Sequence, residues 1–251
     1  MEEAWFLWKG QASSALGLRV LACPAARRAA AVLQWVEVPG RSGLLTLDGP
    51  PVYEAEERVI RFLLPPETPP EAVLSWLSGS GELVLGSEPN RALAAEAEDG
   101  VTLLRQPDRT WEGTVRFTVQ PLKSEYPPQG EQLLGTTASG SVSVLARGDV
   151  PARPVYTVLG ADDMQLTVGN ASETGSGSVI QIILPEGETG VVIDTNAAMI
   201  TNLSGETNLS YVCSLFYNGF KGMWLPPNEH TTISWNENVT QVRMDPRWRW
   251  L

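Results

Sequence analysis

The sequence predicts a mainly β protein that contains two β-sandwich domains. Helical periodicity is scarce, several segments alternate apolar and polar residues, and clusters of Gly, Pro, Ser and Asn separate short apolar runs. The chain has 251 residues, of which 43% are hydrophobic, so each domain can bury a core. Gly, Ser, Thr, Pro and Ala dominate residues 122–154. We therefore expect one domain over residues 1–125 and a second over residues 126–251.

One segment of the first half is typical of a helix. Residues 68–71 read Thr-Pro-Pro-Glu, the pattern of a capping box with proline at the first helical position. Gly79 supplies the stop. The apolar residues at helical spacing between them are Val73, Leu74, Trp76 and Leu77. We expect a short helix of about two to three turns that packs one stripe on a sheet.

The rest of the first half is typical of strands. Residues 52–64 form a long β-favouring segment, and residues 82–85 follow a Ser-Gly turn. Apolar and polar side chains alternate over residues 114–120, which predicts a half-buried antiparallel strand. Pro121 is expected to end this strand.

A β-hairpin is predicted around residues 33–48. Pro39 presets φ for the second position of a turn, and Gly40 can adopt the positive φ that a type II turn needs next. Both faces of the flanking strands carry apolar residues, so the hairpin must lie on its own domain or on a neighbouring chain. The candidate interface residues are Trp35, Val36, Val38, Pro39, Gly40, Arg41, Ser42 and Leu45.

Short β-favouring runs between turn clusters predict a sandwich in the second half. These runs are residues 155–159, 164–168, 179–184, 190–193, 231–235 and 239–244. Residues 141–146 are a candidate edge strand of the same domain.

Charge and motif content argue against nucleic-acid binding and catalysis. The formal net charge is −11, whereas proteins that grip phosphates use Lys and Arg. The one histidine, His230, lies in a predicted turn without a nucleophile motif, and no phosphate loop, CxxC or HExxH pattern occurs. We interpret Asp162 and Asp163 as turn residues rather than a catalytic pair. The sequence therefore predicts no enzyme, no cofactor and no metal site.

The remaining sequence features bear on the cellular compartment of the protein. Cys23 and Cys213 lie far apart and are interpreted as two buried thiols in a reducing cytoplasm. The N-terminus lacks the pattern of a signal peptide, and no apolar run is long enough to predict a membrane span.

The C-terminal sequence Pro246-Arg-Trp-Arg-Trp250 supports two interpretations. Alternation of Trp and Arg predicts a closing strand with one buried aromatic row and one solvated basic row. The alternative is an exposed aromatic surface at Trp248 and Trp250 that binds glycan or a partner. We favour the closing strand, because the basic row makes it an ordinary half-buried strand.

Taken in their order along the chain, several segments resemble the distal tail (Dit) proteins of long-tailed phages or prophages. These segments are residues 35–43, 59–62, 76–84, 115–121, 233–235, 239–242 and 246–249. Asn228 stands where this resemblance leads us to expect a glycine. The chain also lacks the long insertions that carry carbohydrate-binding modules in some relatives.

The resemblance implies a structural protein of the phage tail tip or baseplate. The first domain would be tail-tube-like, with the hairpin as an arm, and the second would be a galectin-like sandwich projecting from a ring. Such a ring, usually hexameric, joins the tail tube protein to the tail-tip hub protein and carries receptor-binding or fibre proteins. DNA passes through its channel, and acidic residues facing the channel would repel it.

This function implies a virion protein at the distal end of the tail, made in the cytoplasm of the bacterial host. The alternative function is a carbohydrate-binding module that recognises a glycan of the host surface.

Overall fold

The computed structural model describes residues 4–32, 35–37, 44–46, 52–98, 100–172 and 174–251, with only the backbone of 35–37 and 44–46. The prediction of a mainly β protein is confirmed, since 52% of the residues are in strands and 8% are helical. Two compact units divide the chain, Met1–Pro127 with Leu251 and Pro128–Trp250. This division lies close to the boundary expected after residue 125.

The first unit is built around one antiparallel sheet and one α-helix. Its main sheet has the order β2-β1-β9-β10-β12-β8-β3, with β11 also paired to β12. The strands are β1 (Phe6–Trp8), β2 (Gln11–Ala12), β3 (Arg19–Ala22), β4 (Ala31–Val32), β5 (Trp35–Glu37), β6 (Leu44–Thr46), β7 (Val52–Tyr53), β8 (Glu56–Leu64), β9 (Gly79–Leu85), β10 (Arg91–Ala97), β11 (Thr102–Arg105) and β12 (Trp111–Glu125). The helix α1 is Pro70–Trp76, and a 3₁₀ turn lies at Ser13–Leu16.

The main sheet bends over its own core. Strands β1 and β12 are three ladder steps apart, which in a flat sheet is about 14 Å. The rings of Trp8 on β1 and Phe117 on β12 nevertheless lie 4.8 Å apart between centroids. The two layers of this unit are therefore parts of one continuous sheet.

Helix α1 covers the core as predicted, but its N-terminal cap is not the predicted one. The N-cap residue is Pro69, and no side chain caps the helix. The hydroxyl of Thr68 instead donates to the carbonyl of Leu16 at 3.4 Å, because the fold brings that carbonyl within reach. The capping box is thus a wrong prediction.

Among the described residues, no helix has the length and hydrophobicity that a membrane-spanning helix needs.

Reciprocal hydrogen bonds fix α1 against β1. The indole N–H of Trp8 donates to the carbonyl of Trp76 at 2.8 Å, and the indole N–H of Trp76 donates to the carbonyl of Trp8 at 3.3 Å. Val73 and Leu77 are buried beneath the helix, whereas Leu74 is 38% exposed. The buried stripe is therefore narrower than predicted.

Strand β12 does not end at Pro121, which corrects a second prediction. The register with β10 shifts between Leu93 and Ala95, and the ladder with β8 ends at Val119. Pro121 lies opposite this irregularity. The ladder has no hydrogen bond that needs a donor at this position, so a residue without a backbone N–H is tolerated. The strand therefore continues to Glu125.

The second unit is a sandwich of two antiparallel sheets. Their orders are β13-β22-β15-β18-β19 and β14-β21-β16-β17-β20. The strands of these two sheets are β13 (Gln132–Gly135), β14 (Gly140–Leu145), β15 (Val155–Gly160), β16 (Asp163–Val168), β17 (Ser178–Ile183), β18 (Gly190–Asp194), β19 (Met199–Asn202), β20 (Cys213–Tyr217), β21 (His230–Trp235) and β22 (Val239–Asp245). A last two-residue strand, β23 (Arg249–Trp250), belongs to neither sheet. Further 3₁₀ turns lie at Ser210–Val212 and Gly219–Met223.

Inward side chains of both sheets form the core of this second unit. Tyr156 and Val242 from one sheet and Leu166 and Ile233 from the other are all fully buried. The predicted runs all became strands, but β13, β19 and β20 were not predicted. Each of these three lies at a sheet edge, so a single neighbour defines it rather than its own apolar pattern.

The two thiols are free and only half-buried. Burial raises the pKa of Cys213 to about 11. Burial also raises the pKa of Cys23, and a backbone hydrogen bond from Gly86 opposes the shift. Both thiols are therefore protonated and weakly nucleophilic at neutral pH.

The packed core predicts a difference between two matched substitutions. Leu83 is fully buried, whereas Leu104 is 62% exposed. Leu83→Ala should lower the free energy of unfolding by about 2–5 kcal/mol, because it leaves a cavity. Leu104→Ala should lower it by less than about 1 kcal/mol, since little buried surface is lost. Urea denaturation measures both, and equal losses would contradict this assignment of the core.

Candidate subunit interface

The predicted hairpin forms on both sides of its turn. Strand β5 pairs with β6 from Trp35↔Thr46 to Glu37↔Leu44. A second ladder pairs β4 with β7, at Ala31↔Tyr53 and Val32↔Val52. We call residues 31–53 the arm. Five predicted interface residues, Val38, Pro39, Gly40, Arg41 and Ser42, lie outside the described residues, as do the side chains of Trp35, Val36 and Leu45.

The arm forms sheets of its own. In the described part of the chain, neither of its ladders is hydrogen-bonded to the main sheet. At its base Val52 is 56% exposed, so apolar surface faces outward there. A two-stranded ladder is marginally stable alone and gains stability when its apolar surface or free edges are covered. In the described part of the chain, the ladders of the arm are therefore not stabilised by pairing with the main sheet.

A segment without regular secondary structure, residues 23–30, leads from β3 into the arm, and we call it the strap. Two cationic side chains from the main sheet hold its backbone. Arg58 on β8 donates from Nη1 to the carbonyl of Ala25 at 3.1 Å. Lys123 on β12 donates from Nζ to the carbonyl of Arg27 at 2.6 Å. The route of the chain into the arm is thus fixed by side chains distant in sequence.

Both of these cations are buried and paired. Arg58 is 4% exposed and lies 2.8 Å from a carboxylate oxygen of Glu56. Lys123 is 5% exposed and lies 2.7 Å from a carboxylate oxygen of Glu88. Removing one partner of a buried ion pair leaves the other charge uncompensated, which typically costs about 3–5 kcal/mol.

A third contact comes from the turn between β9 and β10. The hydroxyl of Ser87 in this turn donates to the carbonyl of Pro24 at 3.1 Å. Glu88, the partner of Lys123, belongs to the same turn. The strap is therefore held from three places in the main sheet and its turns.

The sequence analysis did not predict the contacts of Arg58 and Lys123 with the strap, although the position of Arg58 in its strand could have indicated one of them. In β8 the side chains of Ile60, Phe62 and Leu64 point inward, and Arg58 occupies the same row. Burying a cation costs much free energy unless it has a specific partner. An arginine in a buried apolar row therefore indicates that such a partner is present. Lys123 left no such signal, because the strand was expected to end at Pro121.

The C-terminal tryptophans do not form an exposed platform. Trp248 is 4% exposed and belongs to the core of the second unit, so its ring has no free face for a sugar. Trp250 is half-buried and packs against the same core. This corrects the alternative of a glycan surface at these residues and favours the closing-strand interpretation.

The basic row of the C-terminal segment is bound to the turn after β18. Arg247 lies 3.0 Å from Asp194 and 3.4 Å from Asp245. Arg249 donates to the amide oxygen of Asn196 at 3.3 Å. Burial, and then the neighbouring cations Arg153 and Arg247, lower the pKa of Arg249. These arginines therefore hold the C-terminal segment against this turn.

The residues considered for catalysis do not form a reactive constellation. Nδ1 of His230 lies 3.1 Å from the hydroxyl of Ser143, but no carboxylate in the described part of the chain is hydrogen-bonded to the ring. Asp163 accepts hydrogen bonds from Gln181 at 2.9 and 3.0 Å, and Asp162 has the φ of 55° of a tight turn. Among the described residues, no group of three or more His, Cys, Asp and Glu could hold a metal ion.

The strap contacts predict the effect of Lys123→Met on proteolysis. Loss of the ammonium releases the Arg27 carbonyl and leaves Glu88 unpaired, so the strap should open more often. Arg27 and Arg28 are exposed, so trypsin can cleave after either once the strap opens. We expect cleavage there to be at least about tenfold faster than in the wild type, as measured by mass spectrometry of the fragments.

The control for this experiment is Arg116→Met. Arg116 also lies on β12, but its side chain is 59% exposed and its distance to Glu57 is 3.9 Å. Exposed pairs of this kind contribute little. Equal cleavage rates in the two variants would show that Lys123 does not hold the strap.

Asp194 predicts a pH dependence of stability. Partial burial raises the pKa of Asp194, but the backbone N–H of Ala197 and the guanidinium of Arg247 outweigh it, so the pKa is lowered on balance. A lowered pKa in the folded state contributes stability above the unfolded value of about 3.9, which is lost as pH falls through the folded value.

Asp194→Asn should therefore reduce stability at pH 7, and its difference from the wild type should shrink below about pH 4. Thermal unfolding between pH 2 and 7 measures this difference. Asp149→Asn is the control, since Asp149 is exposed. A difference that is independent of pH, or one shared by the control, would contradict the role of this carboxylate.

Comparison with known proteins identifies the fold. The chain superimposes on the crystal structure of Dit (gp 19.1) of phage SPP1 with a TM-score of 0.73 and 14% identity, over 99% of both chains. It also superimposes on a chain of the phage P2 baseplate in its activated conformation with Ca, with a TM-score of 0.52 and 9% identity, over 97% of both chains. No protein-family model and no curated protein matches the sequence. The chain therefore has the fold of the phage distal tail (Dit) proteins.

Proposed function

We propose that this protein is a structural component of a phage tail tip, a distal tail protein that assembles into a ring. The observation that carries this proposal is the match to SPP1 Dit, described as a paradigm of the hub adsorption apparatus in phages that infect Gram-positive bacteria, over 99% of both chains. Because the match includes both units, the shared feature is the whole two-unit chain and not one common sandwich. A non-enzymatic role follows from this function.

We propose that the arm forms the contact between neighbouring subunits. Its ladders are separate from the main sheet, and Val52 at its base is exposed. The strap gives the arm a fixed root, so that the same arm surface reaches the same place on each neighbour. A head-to-tail contact of this kind closes into a ring when the rotation between subunits divides a full turn. In this arrangement Arg41, near the predicted turn, pairs with a carboxylate of the neighbour.

The ring would join the major tail tube protein to the tail-tip hub protein. In this proposal the second unit projects outward and carries receptor-binding or fibre proteins, and DNA passes through the centre without specific binding. The net charge of −11 supports the last point, because a surface poor in cations does not retain phosphates. The protein would act in the virion, at the distal end of the tail.

Deletion of residues 33–47 tests the role of the arm. The wild type should form a hexamer of about 163 kDa, six times the chain mass of 27.2 kDa, in size exclusion with light scattering. The deletion variant should remain folded, with an unchanged unfolding transition of the second unit, but elute as a monomer. Its loss of assembly would follow from the missing contact surface.

Tyr211→Ala is the matched control for this deletion. It removes a large apolar side chain that is 77% exposed in the second unit, outside the arm. The control should keep the mass of the wild type. A deletion variant that still forms complete rings, or a wild type that is monomeric at every concentration, would contradict the proposed interface.

A further inference from the structure

A cleft of about 320 Å³ opens in the second unit, where β16 ends and β21 begins. Its size is at the lower end of the range for small-molecule sites. Glycine backbone forms part of the wall, and most of the lining side chains are polar. The lining residues used below are Gly177, Gly222, Asn170, Trp224, Glu229, His230 and Thr232.

The glycines allow the backbone segments of the cleft to lie close together. A Cβ atom at Gly177 would collide with the carbonyl oxygen of Val168, and one at Gly222 would collide with the hydroxyl of Ser178. Asn218 braces the same loop by donating to the carbonyl of Gly177 at 3.0 Å. The wall is therefore formed before any ligand arrives, which lowers the entropy cost of binding.

The cleft contains polar groups that the protein itself does not use. The side chains of Asn170, Glu229 and Thr232 form no hydrogen bond with another residue in the described ranges. His230 uses Nδ1 with Ser143 at 3.1 Å, which leaves Nε2 for a ligand. The cleft thus presents both hydrogen-bond donors and hydrogen-bond acceptors, which recognition of several hydroxyl groups requires.

Trp224 supplies carbon surface to the same cleft. Its indole N–H already donates to the carbonyl of Thr195 at 3.3 Å, and the guanidinium of Arg153 lies 4.3 Å from the ring centroid. The ring is held by these contacts, and none of its polar atoms remains for a ligand. Aromatic carbon beside polar groups suits a ligand with apolar C–H faces and hydroxyl edges.

The charge of the cleft excludes several ligand classes. Among the described residues that line it, Glu229 is the one carboxylate, and none is Lys or Arg. The guanidinium of Arg153 beside Trp224 already donates to Asn196 at 3.0 Å. An anionic ligand would therefore meet the carboxylate without a cation in the lining to offset it, and a divalent cation would find too few carboxylates. A neutral polyhydroxylated molecule meets neither difficulty.

We propose that this cleft binds a neutral saccharide. Glu229 and Asn170 bind its hydroxyl groups, His230 contributes Nε2, and Trp224 supports its carbon face. The proposal concerns the second unit alone and does not depend on ring assembly, so the two can fail separately. It also places glycan recognition away from the buried Trp248.

The experiment uses the fact that His230 is the only histidine of the chain. Its ring Cε1–H gives one resolved proton resonance, which reports directly on the cleft of the full-length protein. We would titrate the protein with glucose, galactose and N-acetylglucosamine, and with glucuronate as the anionic counterpart of glucose. At least one neutral sugar should shift the resonance saturably, with a Kd of about 1–10 mM, and glucuronate should not.

Variants of the cleft separate binding from a nonspecific effect. Glu229→Ala and Asn170→Ala should each weaken binding of the same sugar about tenfold, because each removes a hydrogen-bonding group. Glu186→Ala is the matched control, since Glu186 is an exposed carboxylate outside the cleft. It should leave the affinity unchanged.

Three results would overturn the proposal. One is the absence of a saturable shift with all three neutral sugars up to about 50 mM, well above the expected Kd. Another is an affinity that neither cleft variant changes. The third is equal binding of glucose and glucuronate, which would show that the carboxylate of Glu229 does not face the ligand.

Discussion

The register between β8 and β12 is the constraint on which the first unit depends. It pairs Ile60 with Val115 and Arg58 with Phe117, so that these side chains all face inward. It also places Gly113 opposite Phe62, where a Cβ atom would collide with the ring. A slip of β8 by one residue would turn Arg58, Ile60 and Phe62 to the other face of the sheet. The core would then lose Ile60 and Phe62, and the strap would lose the cation that holds Ala25.

This register links the core of the first unit to its candidate interface. Arg58 lies at the end of a buried apolar row, and Lys123 follows the irregularity at Pro121 on the neighbouring strand. Both cations hold backbone carbonyls of the strap, which continues into the arm. The arm can therefore consist of two-stranded ladders that are marginally stable alone, because the strap that leads into it is bound to side chains of the paired strands β8 and β12.

In the second unit, the packed core and the candidate binding cleft are formed by different parts of the chain. Its two facing sheets bury a continuous core, while the cleft is built from turns and loops at the ends of strands. Loops on a rigid scaffold are where binding residues concentrate in general. Asn228, which stands where a glycine was expected, has a φ of 59° and precedes Glu229 of the cleft. Asparagine tolerates this left-handed conformation better than most residues, so the turn keeps its shape without glycine.

The sequence alone determined much of the secondary structure of this protein, because hydrophobic periodicity and turn-forming residues act over a few positions. It predicted α1, the alternation in β12, the hairpin and most strands of the second unit. Tertiary structure decided what local pattern cannot express. The bond from Lys123 to Arg27 joins residues 96 positions apart, the edge strand β20 exists through its pairing with β17, and Thr68 reaches Leu16 instead of capping its helix. Burial of Trp248 likewise follows from which surfaces meet, since the alternation of Trp and Arg favours a half-buried closing strand but leaves an exposed aromatic row as an alternative.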